Sequence, residues 1–333
     1  MSFSQSFFFS LFAVLLLTLL AIVGVRVDLL FVLGVIIPYA AVFIFFIGIF
    51  YCIFKWLSVP VPFRIPTTCG QYKSLPWIKT NNLESPYNTF GVIMRMALEV
   101  LLFRSLFRNT KAEVREGPKV SYWSAKWLWL AAIVFHWSFL AVLIRHFRFF
   151  ADPVPSFMSL IESVDGFIKI GSPGIYMSGI ALLLAATYLL LRRVFIPQLR
   201  YISLAADYFP LFLILGIATS GILMRHFYKV DVVGVKELAI GLASFHPIVP
   251  EGIGVMFYIH LFLICILFMY FPFSKLVHMA GVFLSPTRNL ANNNRMKRHV
   301  NPWNAPVKVH PYEEYEEEFG ELMKEVGIPL DKE

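Results

Sequence analysis

Long apolar stretches without Asp, Glu, Lys or Arg alternate along the chain with shorter charged segments. None of these four residue types precedes Arg26, and further charge-free runs cover Leu29–Phe54, Trp127–Ile144, Ile170–Leu191, Tyr208–Met224 and Gly252–Ser274. Each run is close to the ~20 residues that a helix needs to cross the hydrocarbon core of a bilayer. The pattern predicts six transmembrane helices. Pro38, Pro173, Pro210 and Pro272 fall within these runs and are expected to kink or cap helices, with neighbouring helices re-satisfying the freed carbonyls. The first run could also be read as a cleaved signal peptide, but it lacks a positive n-region and is longer than a usual apolar h-region, so six spans are kept.

The segments between and after the spans have their own patterns. Residues 57–126 form a long polar loop in which Thr89–Phe107, TFGVIMRMALEVLLFRSLF, is mostly apolar but interrupted by Arg95 and Arg104, with Arg108 just beyond. An amphipathic helix in the membrane interface fits this stretch, either beneath a partner subunit or as a plain interfacial helix. Residues 280–333 form a polar tail. Its Ser285–Asn304 part, rich in Asn and basic residues, reads as a docking surface or a solvated tail, and Glu313–Glu318 as a solvated helix face. The organisation is therefore two N-terminal spans (1–56), the loop (57–126), a four-helix core (127–279) and the tail (280–333). The fold class is an all-α integral membrane bundle.

Composition supports the membrane assignment. Of 333 residues 58% are hydrophobic and only 15% charged, too few charges to cover a soluble core of this size. The net charge of +8 reads as a topology signal rather than a nucleic-acid footprint. Of 29 Lys and Arg, 22 lie in the first loop, the Arg192–Tyr201 turn and the tail, and 7 on the opposite side. The positive-inside rule then puts both termini, the loop and the tail in the cytoplasm. Cys52, Cys69 and Cys265 are too few and too dispersed to hold an iron–sulfur cluster unaided. There are no internal repeats and no nucleotide-binding glycine motif.

Four of the eight histidines form a pattern. His136 and His146 are ten residues apart on the third span, and His260 and His278 eighteen apart on the sixth. Eighteen residues are five helical turns, so the second two are expected on one face of one helix. With the two spans antiparallel, His136 faces His278 at the inner level and His146 faces His260 at the outer level. Facing imidazoles at two levels suit the axial ligands of two b-type haems, with Phe side chains walling the slots. One zinc or copper ion fits poorly, because the ligands are spread over about 27 Å. A proton relay would call for intramembrane Asp or Glu, and the charge-free runs have none. A lone histidine in a membrane helix is often a packing residue, so it is the paired spacing that carries the reading. Arg145, Arg148 and Lys275 neighbour these histidines and could pair with haem propionates, although interfacial anchors would look the same. His299 and His310 in the tail have no evident chemistry.

The spacing of ten and then eighteen on antiparallel spans resembles the gamma, cytochrome b subunit of respiratory nitrate reductase, over the second to sixth spans. A resemblance to the DsrM family covers nearly the whole chain. It rests on VPFRIPTTCGQYKSLPWIK (Val61–Lys79), MALEVLLFRSLFRNTKAE (Met96–Glu113), FHWSFL (Phe135–Leu140), PQLRYISLAADYFPLFLILGIATSGILMR (Pro197–Arg225) and VFLSPTRNLANNNRMKRHVNPWN (Val282–Asn304). DsrM is the cytochrome b subunit of the sulfite-reduction-associated Dsr membrane complex of sulfate-reducing microbes. The resemblance implies two haem b groups and a menaquinone-linked electron-transfer subunit in the cell membrane. It also implies a cytoplasmic, heterodisulfide-reductase-like iron–sulfur partner (DsrK-like) acting on the small protein DsrC. Other implied partners are a multihaem cytochrome c, a periplasmic iron–sulfur protein and a second membrane subunit. Menaquinol would bind near the outer pair. Lys169 stands where the nitrate reductase relatives have a contributing lysine, and His226 and His246 are further outer-side candidates, although each also reads as an interfacial or loop residue. A cytochrome b subunit of another quinone-linked oxidoreductase, and a non-redox anchor or transporter, are the alternatives.

Overall fold

The computed structural model describes residues 2–60, 70–117, 119–167, 174–296 and 309–331. Helix α1 (Phe3–Arg26) starts at a capping box, in which the Ser2 hydroxyl accepts from Gln5 N and the Gln5 side chain from Ser2 N. One turn of π-helix, Val32–Ile36, leads into α2 (Ile37–Leu57), with Pro38 in its first turn, where a missing N–H is tolerated. In the loop, the Asn88 side chain caps α3 (Thr89–Leu102) by accepting from Gly91 N at 2.8 Å. The predicted interfacial helix is not continuous: it breaks at Phe103 and resumes as α4 (Arg104–Arg108). An antiparallel hairpin follows, β1 (Thr110–Arg115) with β2 (Lys119–Ser124), in register from Thr110 opposite Ser124 to Arg115 opposite Lys119. Its strands are short, and no helical or strand periodicity marked them beforehand.

Helix α5 (Lys126–His146) continues as a 3-10 turn to Phe150. Then come α6 (Ser156–Asp165), α7 (Met177–Phe195), α8 (Pro197–Ile202), α9 (Ala205–His226, running through Pro210) and α10 (Val232–Ala243). Helix α11 (Val255–Tyr270) ends in a 3-10 turn at Phe271–Phe273, and short α12 (His278–Gly281) and tail helix α13 (Tyr312–Glu325) complete the elements. Pro272 ends its helix as expected, whereas Pro173 lies outside the described residues. Among the described residues six helices are long and apolar enough to cross a membrane: Phe3–Arg26, Val32–Leu57, Lys126–Phe150, Met177–Phe195, Ala205–His226 and Val255–Phe273. The acidic run sits on α13, but Glu316 is buried and accepts from Asp331 N rather than facing solvent.

The helices pack in an arc: α5 on α7, α7 on α9, and α9 on α11, with α2 on the far side of α11. Helix α1 fills the groove between α9 and α11 with a face that includes the small residues Ser6, Ser10 and Ala21, plus Val14, while Gly24 packs against Leu33. Small residues let helix backbones approach in lipid, where apolar burial gives little drive, and the Ser10 hydroxyl lies within hydrogen-bonding reach of Ala205 O at 3.2 Å. The outward face of α1, including Phe8, Phe9, Phe12 and Leu15, is exposed and suits lipid. Helices α5 and α11 share no extensive seam. They face each other across the gap where the histidines meet.

Candidate cofactor site: two facing histidine pairs

The His136 and His278 rings have centroids 6.1 Å apart, with planes at 80°. The His146 and His260 centroids lie 6.2 Å apart, with planes at 23°. The structure thus brings together all four histidines in the expected pairing, at two levels separated by the ten residues, about 15 Å, between His136 and His146 on α5. Two imidazoles on opposite sides of one metal, with metal–nitrogen bonds of about 2 Å, would have ring centres roughly 6 Å apart. Among the described residues no group of three or more His, Cys, Asp or Glu is placed to hold a metal. The donor sets are two-imidazole pairs.

Hydrogen bonding selects the nitrogen left free for a metal. His136 Nδ1 lies 2.8 Å from Ala132 O, His146 Nδ1 2.7 Å from Val142 O, and His278 Nδ1 2.8 Å from Lys275 O. A carbonyl only accepts, so each Nδ1 carries the proton and Nε2 keeps its lone pair. His260 reaches the same state through a side chain on another helix. Its Nδ1 lies 2.8 Å from Ser220 Oγ, and the Ser220 hydroxyl donates to Ile217 O at 3.0 Å. The hydroxyl proton being committed there, the oxygen accepts from His260. His260 Nε2 is buried without a hydrogen-bond partner. A metal-ligating histidine uses its second nitrogen in this way, donating it to a carbonyl or another acceptor and presenting the free nitrogen to the ion. The ligand set fits a bis-imidazole iron at each level.

One expectation needs correction. His260 and His278 do not lie on one face of one helix. Helix α11 ends at Tyr270, Ser274 is extended (φ −122°, ψ 177°), and His278 opens the separate short helix α12. Proline at 272 lacks the N–H that would continue the ladder. The break is seated against α2: a Cβ on Gly48 would lie 2.5 Å from Pro272 Cβ, so only glycine permits this approach, and Cys52 Sγ lies 3.4 Å from Pro272 O. Ser274 then caps the next turn, its hydroxyl accepting from Leu276 N at 3.1 Å. Gly221 plays a similar role beside His260, since a Cβ there would meet the imidazole Cε1 at 3.2 Å.

The cations near the histidines each have an acidic partner within the chain. Arg145 is buried, with Nε 2.9 Å from Asp165 and NH2 3.1 Å from the Ser178 hydroxyl. Its guanidinium and that of Arg225 each lie over the Tyr176 ring, 3.8 Å from its centroid. Arg148 pairs with Glu162 at 2.6 Å, and Lys275 with Asp207 at 2.7 Å. Asp207, buried in the first turn of α9, also faces Arg193 at 3.6 Å. His226 ends α9 half-buried, and His246 is exposed after α10 with Nδ1 donating to Ser244 O at 2.8 Å. Neither joins the two pairs, and Lys169 lies outside the described residues. Sequence reasoning missed Ser220, Gly221, Gly48, Phe103 and Asp207. Each lies at least 33 residues from the histidine it serves, and no local motif signals it.

Residues 88–298 of the chain match the nitrate reductase gamma subunit family, a range that contains all four paired histidines. The chain is 48% identical over 279 residues to the Hdr-like menaquinol oxidoreductase cytochrome b-like subunit of Archaeoglobus fulgidus, covering 82% of this chain and 83% of that one. It is 41% identical over 273 residues to the subunit of the same description from Archaeoglobus profundus, with 80% and 81% covered. Similarity to the respiratory nitrate reductase 1 gamma chain of Escherichia coli extends over 113 residues at 31% identity, covering 32% of this chain and 50% of that one.

Proposed function

The chain belongs to the nitrate reductase gamma subunit family, and from that premise we propose that it is a membrane cytochrome b subunit holding two b-type haems, which exchanges electrons with menaquinol and passes them to a cytoplasmic iron–sulfur subunit. The observation that carries this reading is the pair of imidazole couples, 6.1 and 6.2 Å between ring centres, each ring with Nδ1 donating and Nε2 free. His136 and His278 hold the inner haem, and His146 and His260 the outer one. Each bound haem supplies one-electron iron chemistry, and the quinol supplies two electrons and two protons. The chain's part is positioning. Carbonyls of Ala132, Val142 and Lys275 and the hydroxyl of Ser220 orient the ligands. Arg145, Arg148 and Lys275 remain the candidate propionate partners, and a propionate there would share them with Asp165, Glu162 and Asp207.

The basic loop and tail face the cytoplasm, as do both termini, because 22 of the 29 Lys and Arg lie on that side. The tail already binds the loop: Arg288 pairs with Glu99, Arg95 donates to Thr287 O at 3.3 Å, and Asn292 N donates to Pro86 O at 2.6 Å. On this surface, beside the inner pair, we place the heterodisulfide-reductase-like, DsrK-like partner. The multihaem cytochrome c, the periplasmic iron–sulfur protein and a second membrane subunit of a Dsr-type complex in sulfite and sulfate respiration complete the assembly. Menaquinol binds at the other end, near the outer pair, where Lys169, His226 and His246 are the candidates to hold it and the two histidines those to take its protons.

A reduced-minus-oxidised spectrum of the purified chain tests the reading, together with its haem content. We expect a b-type spectrum with two haems per chain, reduced on addition of a menaquinol analogue. Absence of haem absorbance would overturn the proposal in favour of a non-redox anchor.

A further inference from the structure

Phe103 has φ 49° and ψ 46°, the left-handed conformation in which a helix usually ends on glycine and where a bulky aromatic residue is an outlier. Glycine would make the same turn without strain, so the reason for a phenyl group lies in what it touches. Its ring meets the His136 imidazole edge to face, centroids 4.9 Å apart at 80°. Phe135 meets the same imidazole at 5.2 Å and 78°, and His278 faces it at 6.1 Å. The strained break is braced from several sides. Indole N–H groups of Trp129 and Trp137 on α5 donate to Leu102 O at 2.7 Å and Leu101 O at 3.1 Å, capping the last carbonyls of α3. Across the break, Glu99 Oε2 accepts from Ser105 N at 3.0 Å and from its hydroxyl at 2.6 Å, and the tail residue Arg288 holds the other oxygen of that carboxylate.

We propose that Phe103 is a positioning residue for the His136 imidazole, held against it by the braced break between α3 and α4, so that the tail-covered interfacial helix bears directly on the inner ligand pair. The proposal rests on the reading of His136 as a haem ligand. His136 Nδ1 is tied to a carbonyl one turn back in its own helix. The phenyl ring adds a wall that restricts tilt of the imidazole and covers one side of it. Removing that wall exposes the ligand to a more polar medium, which favours the more highly charged ferric iron and lowers the potential of that haem.

The test uses the full-length protein in membranes, comparing F103A, F103G, F103Y and S105A with wild type. The readouts are electron paramagnetic resonance of the ferric haems and redox titration. In F103A and F103G one of the two haem signals should move, with its reduced-to-oxidised ratio at fixed potential falling about tenfold, ~59 mV for one electron. F103Y should restore the wild-type signal. S105A keeps the ring but loosens the break, and should shift the same signal in the same direction by less. F103G should melt no lower than F103A, since glycine relieves the backbone, which separates contact from strain. Two unmoved haem signals in both F103A and F103G would overturn this proposal alone. A wild-type protein without b-type haem would overturn the functional reading beneath it.

Discussion

The two histidine pairs reach the same ring spacing by different constructions. His260 lies within the continuous helix α11, is only 7% exposed and has its Nδ1 anchored to Ser220 on a third helix, and it faces His146 at the last residue of α5. His136 and His278 are both exposed within the chain, and His278 lies beyond the end of α11 on a separate short segment. The carbonyl that orients His278 belongs to Lys275, whose own side chain is held by Asp207. One pair is thus built into helix packing. The other is assembled from a broken helix, an ion pair and a strained turn under the tail. The helix interior holds His260 rigidly because many backbone hydrogen bonds must break to move it, whereas the short capped segment that carries His278 moves when any one of a few contacts changes. His278 is the ring whose setting depends on the fewest backbone contacts.

Removing ligands breaks the comparison most severely. H278A or H136A should leave one haem per chain and abolish the inner signal, and H260A should do the converse, as read by haem content and spectra. Retention of both haems in H136A or H278A would sink the pairing. Next in size, G48A forces a methyl group into Pro272 at the break after α11. Overpacking of this kind destabilises by about 1–3 kcal/mol, and the melt should fall together with a perturbed inner haem and an unperturbed outer one. S220A does the opposite: it removes the hydroxyl that lies 2.8 Å from the buried His260 Nδ1, and should move the outer-haem potential alone. A shift of the inner signal in S220A would erase the distinction between the two constructions.

The smallest effect concerns the bracing of the break. Burial by itself would raise the Glu99 carboxyl, but hydrogen bonds from the Ser105 hydroxyl and amide, together with Arg288, hold it below its ordinary 4.5. A depressed carboxyl stabilises the fold fully above 4.5 and ceases to do so as pH falls through its lower folded value. E99Q should therefore melt below wild type at neutral pH, by under about 1 kcal/mol for a partly screened pair. The two melting curves should converge under strongly acid conditions. A difference that persisted there would mean that charge is not what holds the tail to α3.

Much of the architecture was legible beforehand. The charge-free runs marked all six spans, because each stretch must satisfy the bilayer by its own composition. The fourth span starts at Met177 rather than Ile170, and α9 reaches back to include the buried Asp207, which no hydropathy pattern distinguishes from an interfacial acid. The meeting of the four histidines was legible from the ten-residue spacing of His136 and His146 on one helix and from the antiparallel run of the third and sixth spans. The single-helix geometry assumed for His260 and His278 was not correct: a proline can kink a helix or end it, and here Gly48 on another helix makes room for the end. The hairpin between α4 and α5 gave no signal, its strands being short and mostly exposed.

Local composition was enough to set the number of spans and their approximate places, because crossing lipid is a property of contiguous residues. The tautomer of His260, the seat of the broken helix at Gly48 and the phenyl edge on His136 each depend on residues 33 to 224 positions apart. Such contacts depend on how helices pack, and packing is settled by the shapes of surfaces that meet only once the chain has folded.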